Sequence, residues 1–263
     1  MRLKYVCIRY DPHRIPLNIL ALETATNACS VAVWRSGKIA AQLTLRRARA
    51  HDARLVPMIG DALRYAGIAA ADLAAVAVSS GPGSYTGLRI GTATAKGLAE
   101  ATGAQLVSVP GPEAWAHLAL PLAAPDDCIV AAFDARRNEA YAAAFRVTSG
   151  STLEVLRETS VIQVEEAAEC LGNTGKGRLY IVGDGQTKLY AQLAQQYGSN
   201  GHATEMLAPD DECIAPPAVA VARLSAARLE RGEVEDIASF EPHYLKEFAA
   251  AVPQKTAFQK LAI

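Results

Sequence analysis

Apolar and polar positions switch between two periods along this chain, and the switches divide it into elements. Residues 19 to 24 (ILALET) and 29 to 35 (CSVAVWR) are short apolar runs separated by Thr26-Asn27-Ala28, and Ser36-Gly37 turns into a third run over 38 to 45. This spacing predicts a three-stranded meander with Glu23 at the end of its first strand. Over residues 51 to 66 the period lengthens. Leu55, Met58, Ile59, Ala62 and Ala66 recur at helical spacing, Val56 and Leu63 widen the apolar face, and Pro57 is expected to kink or restart the helix. Residues 73 to 78 read as a buried strand that stops at Ser79-Ser80-Gly81-Pro82-Gly83 and opens onto a helix running to Thr102, closed by Gly103. A short strand over 105 to 109 follows. Pro110-Gly111-Pro112 then leads into a helix around 113 to 120.

After a linker candidate at 121 to 127 the pattern starts again. Residues 128 to 134 (CIVAAFD) and 139 to 147 read as a second hairpin around a turn at 135 to 138. Laid over the first hairpin without a gap, at an offset of 111, Glu23 falls on Asp134, Asn27 on Asn138, Trp34 on Phe145 and Arg35 on Arg146. Downstream, 179 to 182 enters Gly183-Asp184-Gly185 and a helix at about 187 to 197, again strand, glycine turn and helix. The loop-rich stretch 200 to 217 precedes a helix at about 218 to 231, stopped by Gly232. Two related lobes follow from this reading, over residues 18–121 and 122–248, with a loose extension at 1–17 and a loose tail at 249–263. An acid from each lobe would point into the cleft, both exposed, where a magnesium-bound phosphate would sit. The alternative is that both acids only cap turns or hold basic neighbours such as Arg136.

The stretch from 79 to 102 organises the rest. Gly81, Gly83 and Gly87 bring backbone N–H groups in front of a helix N-terminus, a place that favours an anion. It is not a P-loop, because no lysine stands where that motif needs one, and not a dinucleotide fingerprint, because Thr86 occupies the third glycine position. Glu23, Gly81, Gly83, Ser84, Thr86, Asp134, Gly183, Asp184 and Gly185 are therefore the candidate nucleotide or phosphate cleft. On the helix itself, Gly91, Ala95 and Ala99 recur at every fourth position with Thr92 alongside. Such a row admits another helix, so with Leu55, Met58, Ile59 and Ala62 it forms the candidate partner interface.

Composition narrows the class. The chain has 263 residues, 51% hydrophobic and 20% charged, with a net charge of -1, so it reads as a soluble globular protein without strong general attraction to nucleic acid. Any RNA contact would be local, and Arg46, Arg47, Arg49, His51 and Arg54 are one basic cluster that reads as a solvated rim or as an RNA or acidic-partner face. Five dispersed cysteines without a C-x-x-C pair argue against a disulfide framework and a zinc site and fit a reducing cytoplasm. No apolar run is long enough to span a bilayer. His51 has no second histidine near it and reads as a helix-start residue.

Taken in order, LALETATNACSVAV, HDARLVPMI, SSGPGSYTGLRIGTATAKGLA, FDARRNEAY, GDG and PHYLK resemble the TsaB (YeaZ) family of tRNA threonylcarbamoyladenosine biosynthesis, over about residues 18 to 248. The resemblance implies a two-lobed fold of the actin, sugar-kinase and heat-shock-chaperone superfamily. It implies a non-catalytic, scaffolding subunit that pairs with the catalytic paralogue TsaD and, with the ATPase TsaE, helps modify the adenosine beside the anticodon. It further implies pairing through helices of the first lobe, a homodimer when the chain is alone, and tRNA met through the complex. No cofactor is then required, and ATP or ADP would sit at the interface or in the partners. Where the catalytic paralogue carries H-x-x-x-H, this chain has His51 and then Leu55, so a two-histidine metal site cannot form. The absence of H-E-x-x-H counts against a peptidase. Lys246 stands where the family usually has arginine. The rival reading is a stand-alone nucleotide-binding ATPase of the same fold, resting on Glu23, Asp134 and the two glycine turns.

Overall fold

The continuous apolar runs become central strands because both of their faces are covered. In a computed structural model, which describes residues 2–3, 17–46, 51–150, 152–171, 177–200, 205–210, 214 and 217–246, β2 (Asn18–Glu23) is buried along its whole length. It pairs antiparallel with β3 (Cys29–Arg35), which pairs antiparallel with the edge strand β4 (Lys38–Leu45). On its other side β2 runs parallel to β5 (Ala75–Ser79), and β5 to β6 (Gln105–Val109). The second half repeats this plan. β7 (Cys128–Asp134), β8 (Glu139–Val147) and β9 (Leu153–Gln163) form an antiparallel meander, while β10 (Leu179–Val182) and β11 (Met206–Leu207) continue parallel from β7. Counted within each half, both sheets have the order 3-2-1-4-5. The extension expected to be loose adds one short strand, β1 (Arg2–Leu3), on the edge of β9. The tail at 249–263 lies outside the described residues.

The helices begin and end close to where their punctuation puts them. α1 (His51–Ala66) runs as one element through Pro57. α2 (Tyr85–Thr102) is capped by Ser84, whose Oγ accepts from the Gly87 N–H at 3.3 Å, and closed by Gly103 at φ 73°. Both pack on the outer face of the first sheet, where Leu20, Leu22, Leu55, Ala95 and Ala99 share one core. α4 (Ala167–Leu171) and α5 (Gln186–Asn200) flank the second sheet, where Leu189 and Leu193 join β7 and β10 in a core of their own. Among the described residues no helix is long and apolar enough to cross a membrane.

Between the sheets the halves exchange helices. α3 (Gly111–Ala119), which follows the last strand of the first sheet, packs on β7, β8, β9 and β10. α6 (Pro217–Glu230), from the far end of the chain, packs on β2, β3, β5 and β6. One apolar core, including Ile19, Trp34, Trp115, Ile129, Phe133 and Val219, runs through both sheets and both helices. The two helices are also joined by an ion pair, Arg228 to Glu113 at 2.7 Å. The 121 to 127 segment is likewise held: Asp127 is buried and accepts from the Arg178 guanidinium at 2.9 Å and from the Ala124 N–H at 2.8 Å.

Candidate interlobe site and partner surface

Strand alternation decides what faces the cleft. Ile19 and Ala21 of β2 point to the core shared by the lobes, so Glu23 lies on that face; Ile129, Ala131 and Phe133 of β7 do the same. Phe133 therefore holds the place equivalent to Glu23, and Asp134 lies one residue further on, facing the other way. The ungapped overlay of the two hairpins put the acids in register, and a slip of one residue exchanges the faces. Asp134 is exposed and accepts from the Arg136 N–H at 3.0 Å and from Lys188 at 3.0 Å. In this arrangement it caps the turn and holds a basic neighbour, as the alternative reading of the acids expects.

Glu23 is only 1% exposed, against the expectation of an open carboxylate. Its Oε1 accepts from the Ala25 N–H at 2.7 Å and its Oε2 from the Thr26 hydroxyl at 3.1 Å. Burial pushes the carboxyl from 4.5 up to about 7; those hydrogen bonds pull it down, and the charge of Asp184 across the cleft adds to the rise. Asp184 in turn accepts from the Asp134 N–H at 3.0 Å, so it ties β7 to the glycine turn after β10.

The glycines serve close packing rather than an open anion site. A Cβ on Gly83 would sit 2.3 Å from the Ala25 carbonyl oxygen, and one on Gly87 would sit 2.0 Å from that of Thr24. The Ser84 N–H donates to that same Ala25 oxygen at 2.6 Å, so the front of α2 is already occupied by the turn after β2. Thr86 stays exposed in the first turn of the helix. Gly81 is left-handed at φ 91° and lies against Leu88 and the His243 carbonyl. In the second lobe, Gly183 and Gly185 lie against Ala132 and Phe133. Phe133 also meets Gly111 and stacks edge-on with Trp115 at 6.1 Å, so its ring lies between the glycine turn after β10 and the start of α3.

A strap after α6 crosses the mouth of this cleft. Lys96 of α2 donates to the carbonyls of Ala238 and Phe240 at 3.1 and 3.0 Å, and the His243 N–H donates to the Ser80 carbonyl at 2.8 Å. The Tyr244 ring rests on Tyr85 at 5.1 Å. Lys246 reaches the second lobe, donating to the Ala135 carbonyl at 3.0 Å and pairing with Glu139. These are single ammonium contacts and do not need the planar fork of an arginine. Nothing in the sequence marked this role beyond the PHYLK stretch itself.

The expected partner face needs correction. Leu55, Ile59, Ala62, Gly91, Thr92, Ala95 and Ala99 are buried in the chain's own core, and Met58 is half-buried against it. Gly91 is explained from within, because a Cβ there would lie 2.2 Å from Thr24 Oγ1. The outward faces of the same helices are the neighbouring rows. On α1 these are Val56, 63% exposed, with Pro57, Gly60 and Tyr65; on α2 they are Ala93, Gly97 and Ala101. A Cβ on Gly60 or Gly97 would meet nothing within 4 Å.

Two sheets of identical strand order, with exchanged helices between them and a glycine turn entering from each, define a two-lobed actin-like protein. A family model described as TsaD, tRNA N6-adenosine threonylcarbamoyltransferase, matches residues 39–256. The tRNA threonylcarbamoyladenosine biosynthesis protein TsaB of Escherichia coli K12 is 30% identical over 236 residues, 89% of this chain and 96% of that one. The structure of YeaZ from Pseudomonas aeruginosa superimposes with a TM-score of 0.68 at 26% identity, covering 87% of this chain and 100% of that one. A tRNA N6-adenosine threonylcarbamoyltransferase of Moorella thermoacetica is 36% identical over 108 residues, which is 35% of this chain and 32% of that one. The chain belongs to the TsaB (YeaZ) family.

Proposed function

We infer that this protein is the non-catalytic subunit of a tRNA threonylcarbamoyladenosine-synthesising assembly, pairing with a TsaD-like catalytic paralogue and a TsaE-like ATPase. The observation that carries the reading is the match to TsaB along nearly the whole of both chains. The fold supports it at the position of the paralogue's second histidine, where Leu55 is fully buried and works as a packing residue. Pairing runs through the outward faces of α1 and α2. Gly60, Gly97, Ala93 and Ala101 leave their backbones bare, and Val56 supplies exposed apolar area for a helix pair to cover. In the absence of the paralogue the same face serves a homodimer, and tRNA is met within the assembly, in the cytoplasm. Phe133 lies against the glycine turn of the second lobe and the turn after β2 against that of the first, which favours ATP or ADP at the interface or in the partners over the rival reading as an independent ATPase.

The test is co-purification with the TsaD-like paralogue. Gly97→Leu and Val56→Glu should weaken the pair about 10-fold or more while circular dichroism stays that of the parent and melting is not lowered. Retained affinity in both variants would remove these faces from the interface, and transfer of threonylcarbamoyl to tRNA by the chain alone would end the non-catalytic reading.

A further inference from the structure

The two hairpins that repeat the same plan end in turns of opposite character. The turn after β2 is buried except at Asn27 and presses Thr24 and Ala25 onto α2. Its counterpart between β7 and β8 stands in solvent and carries Arg136 and Arg137, both left-handed, at φ 65° and 53°. Two consecutive left-handed residues are the setting in which Asn-Gly is unstrained and a long side chain is costly. The turn is nevertheless fastened in that form. Lys188 donates to the carbonyls of Arg137 at 2.6 Å and Glu139 at 3.3 Å, Lys246 to that of Ala135 at 3.0 Å, and Asp134 accepts from the Arg136 N–H. Backbone strain held in place by neighbours points to a use for the side chains that bear it.

Both guanidinium groups stand outside the ion pairs of the described residues. The carboxylates beside them are already countered: Asp134 pairs with Lys188, and Glu139, which feels the Arg137 charge, pairs with Lys246. Lys246 sits two residues after Tyr244 on the strap, so the arginine turn adjoins an aromatic cluster on the other side of the cleft mouth. There Tyr244, 38% exposed, packs on Tyr85, and the Arg89 guanidinium lies 5.0 Å from the Tyr85 ring centre. Burial raises the Tyr244 pKa, the Arg89 charge opposes the rise, and Glu241 of the strap adds to it. Exposed arginines for phosphates beside an exposed aromatic ring for bases, here Tyr244 on the half-buried Tyr85, are the two parts of a single-stranded nucleic-acid surface.

We propose that the Arg136-Arg137 turn, with Tyr244, Tyr85 and Arg89, forms an RNA-binding ridge across the cleft mouth that holds single-stranded tRNA backbone and bases. This rests on the tRNA-modification reading for the identity of the RNA, but the binding is a property of this chain. The arginines supply phosphate contacts and Tyr244 a stacking platform, so binding is salt-dependent and tolerant of sequence.

The experiment measures binding of a fluorescently labelled anticodon stem-loop RNA to the full chain by anisotropy, across a salt series. Arg136→Asn combined with Arg137→Gly removes both charges and relaxes the turn. It should lower RNA affinity about 10-fold, flatten the slope of log affinity against log salt by about 1 to 1.4, and raise the melting temperature by about 2–4 °C. Arg136→Lys with Arg137→Lys should keep most of the affinity, and Tyr244→Ser should reduce it about 5-fold or more. Association with the TsaD-like paralogue is measured on the same variants and should not change. Unchanged RNA affinity in the Asn-Gly variant overturns the proposal, and so does a loss of paralogue association with RNA binding intact, which would make the turn a protein contact. RNA affinity that falls as expected in a chain that never pairs with the paralogue would sustain the ridge and overturn the assembly reading instead.

Discussion

Thr24 Oγ1 donates a hydrogen bond of 2.8 Å to the carbonyl oxygen of Gly87, clamping the turn after β2 onto the first turns of α2. Gly83, Gly87 and Gly91 form the groove that receives this turn, and Glu23 braces it from behind through the Ala25 N–H and the Thr26 hydroxyl. The helix whose outer face is assigned to a partner is thus positioned by a carboxyl buried at the cleft.

Glycines on one helix should respond to alanine with opposite signs. Gly87→Ala places a Cβ against the Thr24 backbone, which cannot rotate away, and should cost about 1–3 kcal/mol. Gly97→Ala meets open space and should gain about 0.5–1 kcal/mol of helix stability. Denaturant midpoints of the two variants test this; equal shifts would refute the groove.

Ala95→Leu should behave as a core substitution. Ala95 is 0% exposed, so two added branches overpack the space between α2 and the sheet and cost about 1–3 kcal/mol of stability. A normal melting curve with lost partner affinity would instead return this row to the interface.

Glu23 should make stability depend on pH in an unusual direction. The native chain keeps the Glu23 proton up to about pH 7, while the unfolded chain releases it near 4.5. Between those values the native state binds more protons, so the Glu23 contribution to stability falls as pH rises and is flat beyond both ends. Glu23→Gln cannot ionise. Relative to the parent it should gain about 1–3 kcal/mol between pH 4 and pH 8, read from denaturation at each pH. A difference that does not vary with pH would show that the carboxylate is not penalised by its surroundings.

The ion pair between the exchanged helices should be worth more than a surface pair. Glu113 is 7% exposed, and Arg228 reaches it at 2.7 Å beside His117, whose imidazole burial holds below its ordinary value. Removing one partner leaves the other charge buried, so Arg228→Met, which strands the deeper Glu113 carboxylate, should cost about 3–5 kcal/mol, and Glu113→Ala somewhat less because the Arg228 head is nearer solvent. A double-mutant cycle measures the coupling; additive losses would place the pair among solvent-screened contacts.

The elements were largely legible in the sequence because local chemistry fixes them. Gly103 ends α2 where a left-handed residue is needed, Ser84 caps its start, and the apolar runs of β2, β5, β7 and β10 match strands covered on both faces. β9 and α4 were not anticipated: β9 mixes Glu154, Arg157 and Glu158 among its apolar positions, and α4 is only five residues long.

What the sequence determined by itself was the repeated strand-turn-helix plan, the strands of the first lobe and the family, since these depend on order and spacing along the chain. What only the tertiary structure decided was which face each residue turns to and what stands against it. A single residue of difference between the hairpins exchanges Asp134 for Phe133 at the cleft, and no local propensity reports that slip. The glycine row of α2 reads alike whether a partner helix or the chain's own turn fills it. Only the arrival of Thr24 and Ala25, some sixty residues earlier in the chain, settles the choice, because close packing is a property of the pair of surfaces and not of either one alone.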